Sequence, residues 1–390
     1  MNRAAFLEDR PVILPFEGSE AKVAELHARG VIDEVVDAFE PSLAELFAVE
    51  HPDRASARAR EHIVAERRAE LLSSSVVAVF PWRRCAVHLP DPEIYFRLRT
   101  SRNRQLVTDG EQRRFRDGAV AVGGLSVGFS ILHNLVLGGG PRHLRIADFD
   151  RLSIPNLNRL AHSVTEIGVR KTRLAARRVY ELDPFADVTV FDEGVARDNL
   201  LELLAPNGRP VDVFFEEMDQ LHMKFAARKV ARELRIPVVM VSDLGDGTKI
   251  DVERFDLEPD RPLLHGAIDE TTALSLGPDL DPKERVRIAS AVIKPADMPP
   301  RLQQSMLALG STLHAWPQLG TAVSLAGAAG AYVARRILTG AEMPSGRYSL
   351  SLDAALNPLW HSPAETQVRM ALTTTFEQRV GLVPMPNEAG

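Results

Sequence analysis

Residues 119–150 read AVAVGGLSVGFSILHNLVLGGGPRHLRIADFD and carry the strongest fold signal in the chain. The apolar run at 119–125 is typical of a buried parallel strand that ends in glycines. The segment at 126–139 has the length and the apolar character of a helix. A second apolar run at 143–150 ends in two acids. A strand, a helix and a second strand in this order predict a parallel βαβ unit.

The same alternation continues along the chain. The predicted elements are a helix at 170–184, strands at 188–194 and 211–219, a helix at 222–235 and a strand at 237–243. Strands that alternate with helices of this length predict an α/β fold with a Rossmann-like, mostly parallel, doubly wound sheet flanked by helices. Crossovers in such sheets are almost always right-handed, and ligands bind beyond the carboxyl ends of the strands.

The chain is predicted to have three parts. Residues 1–95 combine an Ala-, Glu- and Arg-rich helical pattern at 42–72 with a β-like run, which predicts an N-terminal accessory α/β domain. Residues 96–355 form the predicted ligand-binding domain. Within it, the Pro- and Asp-rich segment 244–310 predicts a lid or a substrate-facing excursion. Residues 356–390 are expected to be a C-terminal tail.

Charge and hydropathy argue against several classes of protein. The 390 residues carry a formal net charge of −6 at pH 7, so no global positive field attracts nucleic acid or an anionic membrane. The most lipid-like stretch, at 319–334, is shorter than the roughly 20 apolar residues that span a bilayer. The first residues show no apolar core of a signal peptide. We therefore expect a cytoplasmic protein that binds neither nucleic acid nor membrane.

Cysteine and histidine usage restricts the metal chemistry. Cys85 is the single cysteine, so no zinc site of paired cysteines can form, and its apolar surroundings favour a core residue over a nucleophile. Four histidines lie in separate segments without the spacing that a helical metal site requires: His133, His162, His265 and His314. No zinc is expected. His265 is a candidate base on its location alone.

The turn after the first strand reads VGGLSVG. Gly124 and Gly128 flank Ser126, where dinucleotide-binding proteins usually have G-x-G-x-x-G. Glycines allow the backbone to approach a phosphate closely, and the N–H groups at a helix start face its negative charge. Taken alone, the motif leaves open a tight turn with no ligand.

The second strand ends in Asp148 and Asp150. An acid in this place commonly bonds to the ribose hydroxyls of a nucleotide. NAD, FAD and ATP remain equally good ligands at this point. The two acids are also compatible with a strand end that is simply solvated.

The following segment discriminates among these ligands. IPNLNRL at 154–160 follows the acidic strand end, and Lys171 comes twelve residues after Arg159. An arginine and a lysine that converge on phosphates neutralise a triphosphate and stabilise the charge that develops at its α-phosphorus. A nicotinamide cofactor needs no such pair, so the order of residues favours ATP.

These residues resemble the ThiF/MoeB/HesA superfamily, which includes the ubiquitin-activating-type enzymes. DFDRLSIPNLNR at 148–159, the downstream Lys171 and EEMD at 216–219 are similar to that superfamily's D-x-D, S-N-L-x-R-Q, G-x-x-K and D-x-x-D elements. SRNRQL at 101–106 resembles its R-Y-x-R-Q element.

The resemblance implies a role for each matching residue. Asp148 corresponds to the acid that bonds to the ribose. Phosphate contacts fall on Asn156, Arg159 and Lys171. Asp219 corresponds to the carboxylate that helps to hold Mg²⁺ near the phosphates.

The resemblance also implies a homodimer, because Arg104 corresponds to an arginine that often reaches the nucleotide site of the other subunit. Three departures stand out. The glycine loop is one residue shorter than G-x-G-G-x-G-S, Leu160 replaces a common glutamine, and Glu216 replaces the first acid of D-x-x-D. The paired zinc cysteines and the acceptor cysteine of many relatives are absent from the sequence.

The implied activity is an ATP- and Mg²⁺-dependent adenylyltransferase that activates a carboxylate of a peptide, a small protein or a small molecule. Arg104, Arg159, Lys171 and Mg²⁺ would spread the developing charge. Without a thiol of its own, the chain would pass the acyl-adenylate on directly, which favours a biosynthetic or peptide-modifying pathway. Two alternatives stay open: an NAD(P)-dependent oxidoreductase on the same fold, and a non-catalytic ThiF-like scaffold.

Overall fold

The computed structural model describes residues 9–53 and 57–383. They divide into two compact units. The first contains the described residues up to Arg116, together with Val136–Arg142 and Ala176–Asp187. The second contains Asp117–Leu135, His143–Ala175 and the described residues from Val188 onward. The three-part division at residues 95 and 355 stays a prediction.

The first unit contains a four-stranded sheet with the order β1-β3-β4-β2. Its strands are Val12–Pro15 (β1), Glu34–Asp37 (β2), Val76–Phe80 (β3) and Cys85–Leu89 (β4). The helices that begin in this unit are Glu20–Ala28 (α1), Phe39–Glu50 (α2), Ala57–Ser73 (α3), Pro92–Arg99 (α4) and Asp109–Asp117 (α5). This unit confirms the predicted N-terminal α/β region. The helical pattern at 42–72 is divided between α2 and α3. Pro52 lies between the two helices, and proline disfavours a helical conformation in the residue before it.

Strand β3, one of the two inner strands of this sheet, separates two small cores. Val77 and Val79 point to one face of β3 and pack with Ile32. Ala78 and Phe80 point to the other face, as the two-residue period of a strand requires.

The second unit contains a seven-stranded sheet with the order β11-β10-β9-β8-β5-β6-β7. Its strands are Ala119–Gly123 (β5), His143–Ala147 (β6), Asp187–Phe191 (β7), Val213–Glu216 (β8), Val238–Leu244 (β9), Gly247–Glu253 (β10) and Gly346–Ser351 (β11). The helices that begin in this unit are Val127–Leu137 (α6), Lys171–Leu182 (α7), Leu200–Leu204 (α8), Leu221–Glu233 (α9), Glu270–Ser275 (α10), Pro282–Ile293 (α11), Pro300–Leu307 (α12), Gly320–Thr339 (α13), Leu352–Leu356 (α14) and Pro363–Arg379 (α15).

The chain reverses its direction across the sheet at β5. Strand β5 is parallel to β6 on one side and to β8 on the other, and β8 is parallel to β9. Strands β9, β10 and β11 are antiparallel. The prediction of a Rossmann-like, mostly parallel sheet is confirmed. A reversal of this kind opens a crevice at the carboxyl ends of the strands, where ligands of such sheets bind.

Small residues let helix α13 pack closely against α6 and the sheet. A Cβ atom on Gly327 would lie 2.2 Å from Ser130 Oγ, and one on Gly330 would lie 2.9 Å from a carbon of Ile131. The Ala- and Gly-rich stretch at 319–334 therefore serves helix packing. In the described part of the chain, no helix combines the length and the apolar character needed to cross a membrane.

Regular structure extends into the segment predicted as a lid. Strand β10 follows β9 in a hairpin, and all seven of its residues are buried. The role of residues 244–310 as a lid or substrate-facing excursion stays a prediction. The sequence does not predict strand β10, because its buried charged residues are neutralised by partners that are distant in the chain. Lys249 lies 2.8 Å from Asp297, and Glu253 lies 2.7 Å from Arg228.

The expected tail also contains a packed helix. Helix α15 begins at Pro363 and places Phe376, 1% exposed, against Leu244, Met298 and Leu302. The part of the chain predicted as a C-terminal tail therefore includes a helix that packs against the core. Residues 384–390 lie outside the described part of the chain.

We expect Phe376→Ala to lower the free energy of unfolding by about 3–5 kcal/mol, the usual loss when a buried phenylalanine leaves a cavity. Val368→Ala on the same helix is the matched control, because Val368 is 53% exposed and its truncation leaves no cavity. Urea denaturation of both variants measures the difference. Equal losses in the two variants would show that α15 does not belong to the core.

Candidate nucleotide-binding site

A glycine turn joins the central strand β5 to helix α6. Gly124 has φ +94°, and a Cβ atom there would lie 2.3 Å from the carbonyl oxygen of Glu217. The Gly124 N–H donates to the Ala147 carbonyl at 2.8 Å. Gly128, in the first turn of α6, would bring a Cβ atom within 2.8 Å of Val122. Glycine is therefore required on both sides of Ser126, in a loop that contacts the strand ends on its two flanks.

Asp148 holds the glycine turn on the end of β6. Its Oδ2 accepts from the Leu125 N–H at 2.6 Å and its Oδ1 from the Asp150 N–H at 2.7 Å. Burial raises the pKa of Asp148, and the nearby Lys171 opposes that shift. Both oxygens already have backbone donors, so the predicted ribose acid is fixed in its orientation.

Lys171 and Asp150 form an ion pair at the start of α7. Lys171 Nζ donates to Asp150 Oδ2 at 2.7 Å, and the Lys171 N–H donates to the Asp150 carbonyl at 3.0 Å. The lysine side chain is 7% exposed, whereas that of Asp150 is 51% exposed. The structure thus brings these two predicted residues together.

Asn156 fixes the loop that carries Arg159. Its Oδ1 accepts from the N–H and the hydroxyl of Ser153, each at 3.0 Å, and caps the short turn at Ile154–Asn156. The Asn156 carbonyl accepts from the Arg159 N–H at 3.1 Å. In this structure the oxygen of the Asn156 side chain positions the loop.

Arg159 reaches back to the glycine turn. Its Nε donates to Ser126 Oγ at 3.2 Å, and its Nη1 donates to the Pro155 carbonyl at 3.1 Å and to Asn158 Oδ1 at 2.9 Å. Removal from water lowers the pKa of the Arg159 guanidinium, while the charges of two acids oppose that shift. Those acids are Asp243 and Asp219.

Asp219 follows strand β8, and Asp243 lies within the neighbouring parallel strand β9. Each comes four residues after a member of the paired residues Phe215 and Val239. Asp219 is exposed, whereas Asp243 is only 8% exposed. Burial raises the pKa of Asp243, while hydrogen bonding to Gln318 and the charge of Arg159 oppose that shift. Sequence reasoning missed Asp243, although an acid at the end of the run PVVMVSD was a usable signal.

Glu216 lies in the core. Its Oε1 accepts from Lys224 Nζ at 3.1 Å, and its Oε2 accepts from Arg228. Arg228 in turn donates to Glu253 at 2.7 Å. The acid that replaces the first aspartate of D-x-x-D is therefore engaged in a buried ion cluster.

Arg104 belongs to the first unit and follows the short turn at Ser101–Asn103. Its Nη1 donates to the Val49 carbonyl at 3.3 Å, and its side chain is 49% exposed. Its role at the nucleotide site of another subunit stays a prediction.

His265 and Cys85 are poor candidates for proton transfer or nucleophilic attack. Burial and the neighbouring arginines lower the pKa of His265 to about 3, and its Nδ1 lies 2.8 Å from an Arg261 guanidinium nitrogen. An imidazole with that pKa is a weak base at neutral pH. Burial raises the pKa of the Cys85 thiol, which disfavours its nucleophilic thiolate form.

The residues present fit a nucleotide-bound Mg²⁺ ion. Over the described ranges, no group of three His, Cys, Asp or Glu side chains is arranged to hold a metal by itself. Mg²⁺ in nucleotide sites usually takes one or two carboxylates and completes its shell with phosphates and water. Asp219 and Asp243 are carboxylates whose charges act on Arg159, and Asp243 Oδ2 is buried without a hydrogen-bond partner.

Comparison with known proteins places these residues in a family. The ThiF family matches residues 100–367. The chain is 36% identical to an uncharacterized protein of Mycobacterium tuberculosis over 286 residues, which cover 73% of this chain and 39% of that protein. It is 27% identical to a sulfur carrier protein adenylyltransferase of Thermus thermophilus over 35% of this chain and 48% of that protein. The chain spans less than half the length of either relative.

Solved structures give a weaker likeness. A crystal structure of PaaA has a TM-score of 0.45 at 18% identity and covers 66% of this chain and 77% of that chain. E. coli TcdA, a tRNA threonylcarbamoyladenosine dehydratase solved with AMP, has a TM-score of 0.44 at 16% identity over 63% of this chain and 95% of that chain.

We expect Gly124→Ala to destabilise the protein more than Gly168→Ala. Both glycines have positive φ, +94° and +86°, so both substitutions pay about 1–2 kcal/mol for the left-handed backbone. A methyl group at Gly168 meets no atom within 4 Å, whereas one at Gly124 meets the Glu217 carbonyl. The second cost adds about 1–3 kcal/mol, as overpacking does.

Thermal and urea denaturation of the two variants measure this difference. Equal stability of the two would show that the close approach of Gly124 to Glu217 does not constrain the turn.

Proposed function

The chain belongs to the ThiF family, and on that premise we propose that it binds ATP and uses it to adenylate a carboxylate. The observation that carries the proposal is the position of Arg159. It joins the glycine turn through Ser126 and interacts with the charges of Asp219 and Asp243, at the crevice where the sheet reverses direction. A guanidinium there suits the phosphate groups of a nucleotide.

In this proposal the chain's own residues align two anions. The N–H groups at the start of α6 face the phosphates, and the rigid Gly124 turn allows them to approach. Asp148, held by two backbone donors, bonds to the ribose. Arg159 and Lys171 donate to phosphate oxygens, and Asn156 keeps the Arg159 loop in place.

The proposed reaction is a displacement at phosphorus. A carboxylate oxygen attacks the α-phosphorus of ATP, the bond to the β-phosphate oxygen breaks, and pyrophosphate leaves with that electron pair. Mg²⁺, when bound, offsets phosphate charge. Arg159 and Lys171 stabilise the charge that develops at the α-phosphoryl oxygens. We propose that the protein is a homodimer in which Arg104 of the second subunit also stabilises this charge.

The sequence supports direct transfer of the acyl group. Cys85 is the one cysteine and precedes every element of the nucleotide site. In this proposal the acyl-adenylate passes to an amine, a carbon nucleophile or a thiol of another protein, in a biosynthetic or peptide-modifying pathway of the cytoplasm. The name of the Thermus relative, a sulfur carrier protein adenylyltransferase, points to a carrier protein as one substrate class.

We expect Arg159→Ala and Asp219→Ala to abolish carboxylate-dependent exchange of labelled pyrophosphate into ATP, by at least about 100-fold as for other groups that stabilise transition-state charge. Exchange is measured with a panel of amino acids, small organic acids and peptides with a free carboxyl end. The melting temperatures of both variants should stay close to that of the wild type.

Arg209→Ala is the matched control, because Arg209 is an exposed arginine of the same unit. It should keep wild-type exchange. If Arg159→Ala and Asp219→Ala kept full exchange, the assignment of these residues would be wrong. A folded wild-type protein that binds no ATP would refute the activity itself.

A further inference from the structure

We propose that Asp243 is a second carboxylate of the nucleotide site and that, together with Asp219, it binds the divalent cation that accompanies the nucleotide. The inference rests on the proposed ATP-dependent function and extends it to a residue that no sequence motif assigned. It concerns the ends of β8 and β9, beyond their paired residues.

The two acids follow the last paired residues of β8 and β9 at the same spacing, and their charges interact. Phe214 pairs with Val238 and Phe215 with Val239 in parallel. Counting four residues onward from the second pair reaches Asp219 and Asp243. Their charges interact with each other and with that of Arg159.

Asp243 is buried and half satisfied. It is 8% exposed, and its Oδ1 accepts from Gln318 Nε2 at 3.1 Å. Its Oδ2 is buried without a hydrogen-bond partner. A buried carboxylate oxygen without a donor is costly, so native structures supply one or bind an ion there.

The nearest protein cation does not fill this role. Arg159 directs its Nε to Ser126 and its Nη1 to Pro155 and Asn158. In the described ranges, no hydrogen bond joins it to Oδ2 of Asp243. Two adjacent carboxylates repel each other unless a cation or a proton is shared between them. Mg²⁺ and Mn²⁺ prefer oxygen ligands of this kind and leave sites open for phosphate oxygens.

Gln318 positions Asp243 and links it to the loop that carries Arg159. Its side chain donates to Asp243, and its backbone carbonyl accepts from Asn158 Nδ2 at 2.8 Å. Asn158 also accepts from Arg159. The proposed cation site and the proposed phosphate contact therefore share one hydrogen-bonded chain of residues.

Binding of Mn²⁺, followed by electron paramagnetic resonance in the presence of α,β-methylene-ATP, tests the proposal without catalysis. Asp243→Asn keeps the size and the acceptor for Gln318 but removes the charge. We expect it to weaken Mn²⁺ binding by at least about tenfold, the smallest loss typical when a partner of a metal ligand is removed. Asp243→Glu, which keeps the charge, should recover part of that affinity.

Asp246→Asn is the matched control from the same hairpin, because Asp246 already accepts from the Thr321 hydroxyl. It should bind Mn²⁺ as the wild type does. If melting curves show that Asp243→Asn fails to fold, Asp243→Ser, which also removes the carboxylate, is measured in its place, and wild-type Mn²⁺ affinity in that variant would overturn the proposal.

The outcomes separate the inference from the proposed function. If the wild type binds the nucleotide and Mn²⁺, and Asp243→Asn keeps the same Mn²⁺ affinity, Asp243 is not a ligand although the ATP site stands. Asp243 is likewise not a cation ligand if Asp243→Asn weakens only the binding of the carboxylate substrate. A wild type that binds no nucleotide would overturn both.

Discussion

The close contact between the Gly124 turn and the Glu217 carbonyl is the constraint on which the site depends. A Cβ atom at Gly124 would lie 2.3 Å from that oxygen, so the backbone of β5 must end in a conformation that glycine alone adopts easily. The turn then starts α6 and presents Leu125 to Asp148 at 2.6 Å. Because β5 lies between β6 and β8, the turn at Gly124 contacts the chain at the ends of both neighbouring strands.

Most polar groups around this crevice are already held by the protein. Asp148 has two backbone donors, Asn156 caps its own loop, and Lys171 pairs with Asp150. Such preorganisation means that little reordering accompanies the binding of an anion. Asp243 differs, because one of its oxygens is buried without a donor. This contrast is the structural reason for the proposal that a cation binds at Asp243.

The sequence was informative where burial needs only apolar residues. Strands β5, β6, β8 and β9 read as apolar runs, and the fold class follows from them. Strand β10 was not predicted because Lys249, Asp251 and Glu253 are buried charged residues whose partners come from distant segments, such as Arg228 and Asp297.

Helix α15 was not predicted because only Phe376 of its residues is fully buried. Asp243 was not predicted because the acid that ends the run PVVMVSD matches no motif, and its burial is evident only from the structure.

Isothermal titration calorimetry of the wild-type chain with α,β-methylene-ATP and Mg²⁺, against NADH as competitor, tests the central claim most directly. The account predicts one saturable nucleotide site per chain that NADH neither occupies nor blocks, because Arg159 and Lys171 suit a triphosphate. Binding of NADH at one site per chain, with no heat from the ATP analogue, would contradict it.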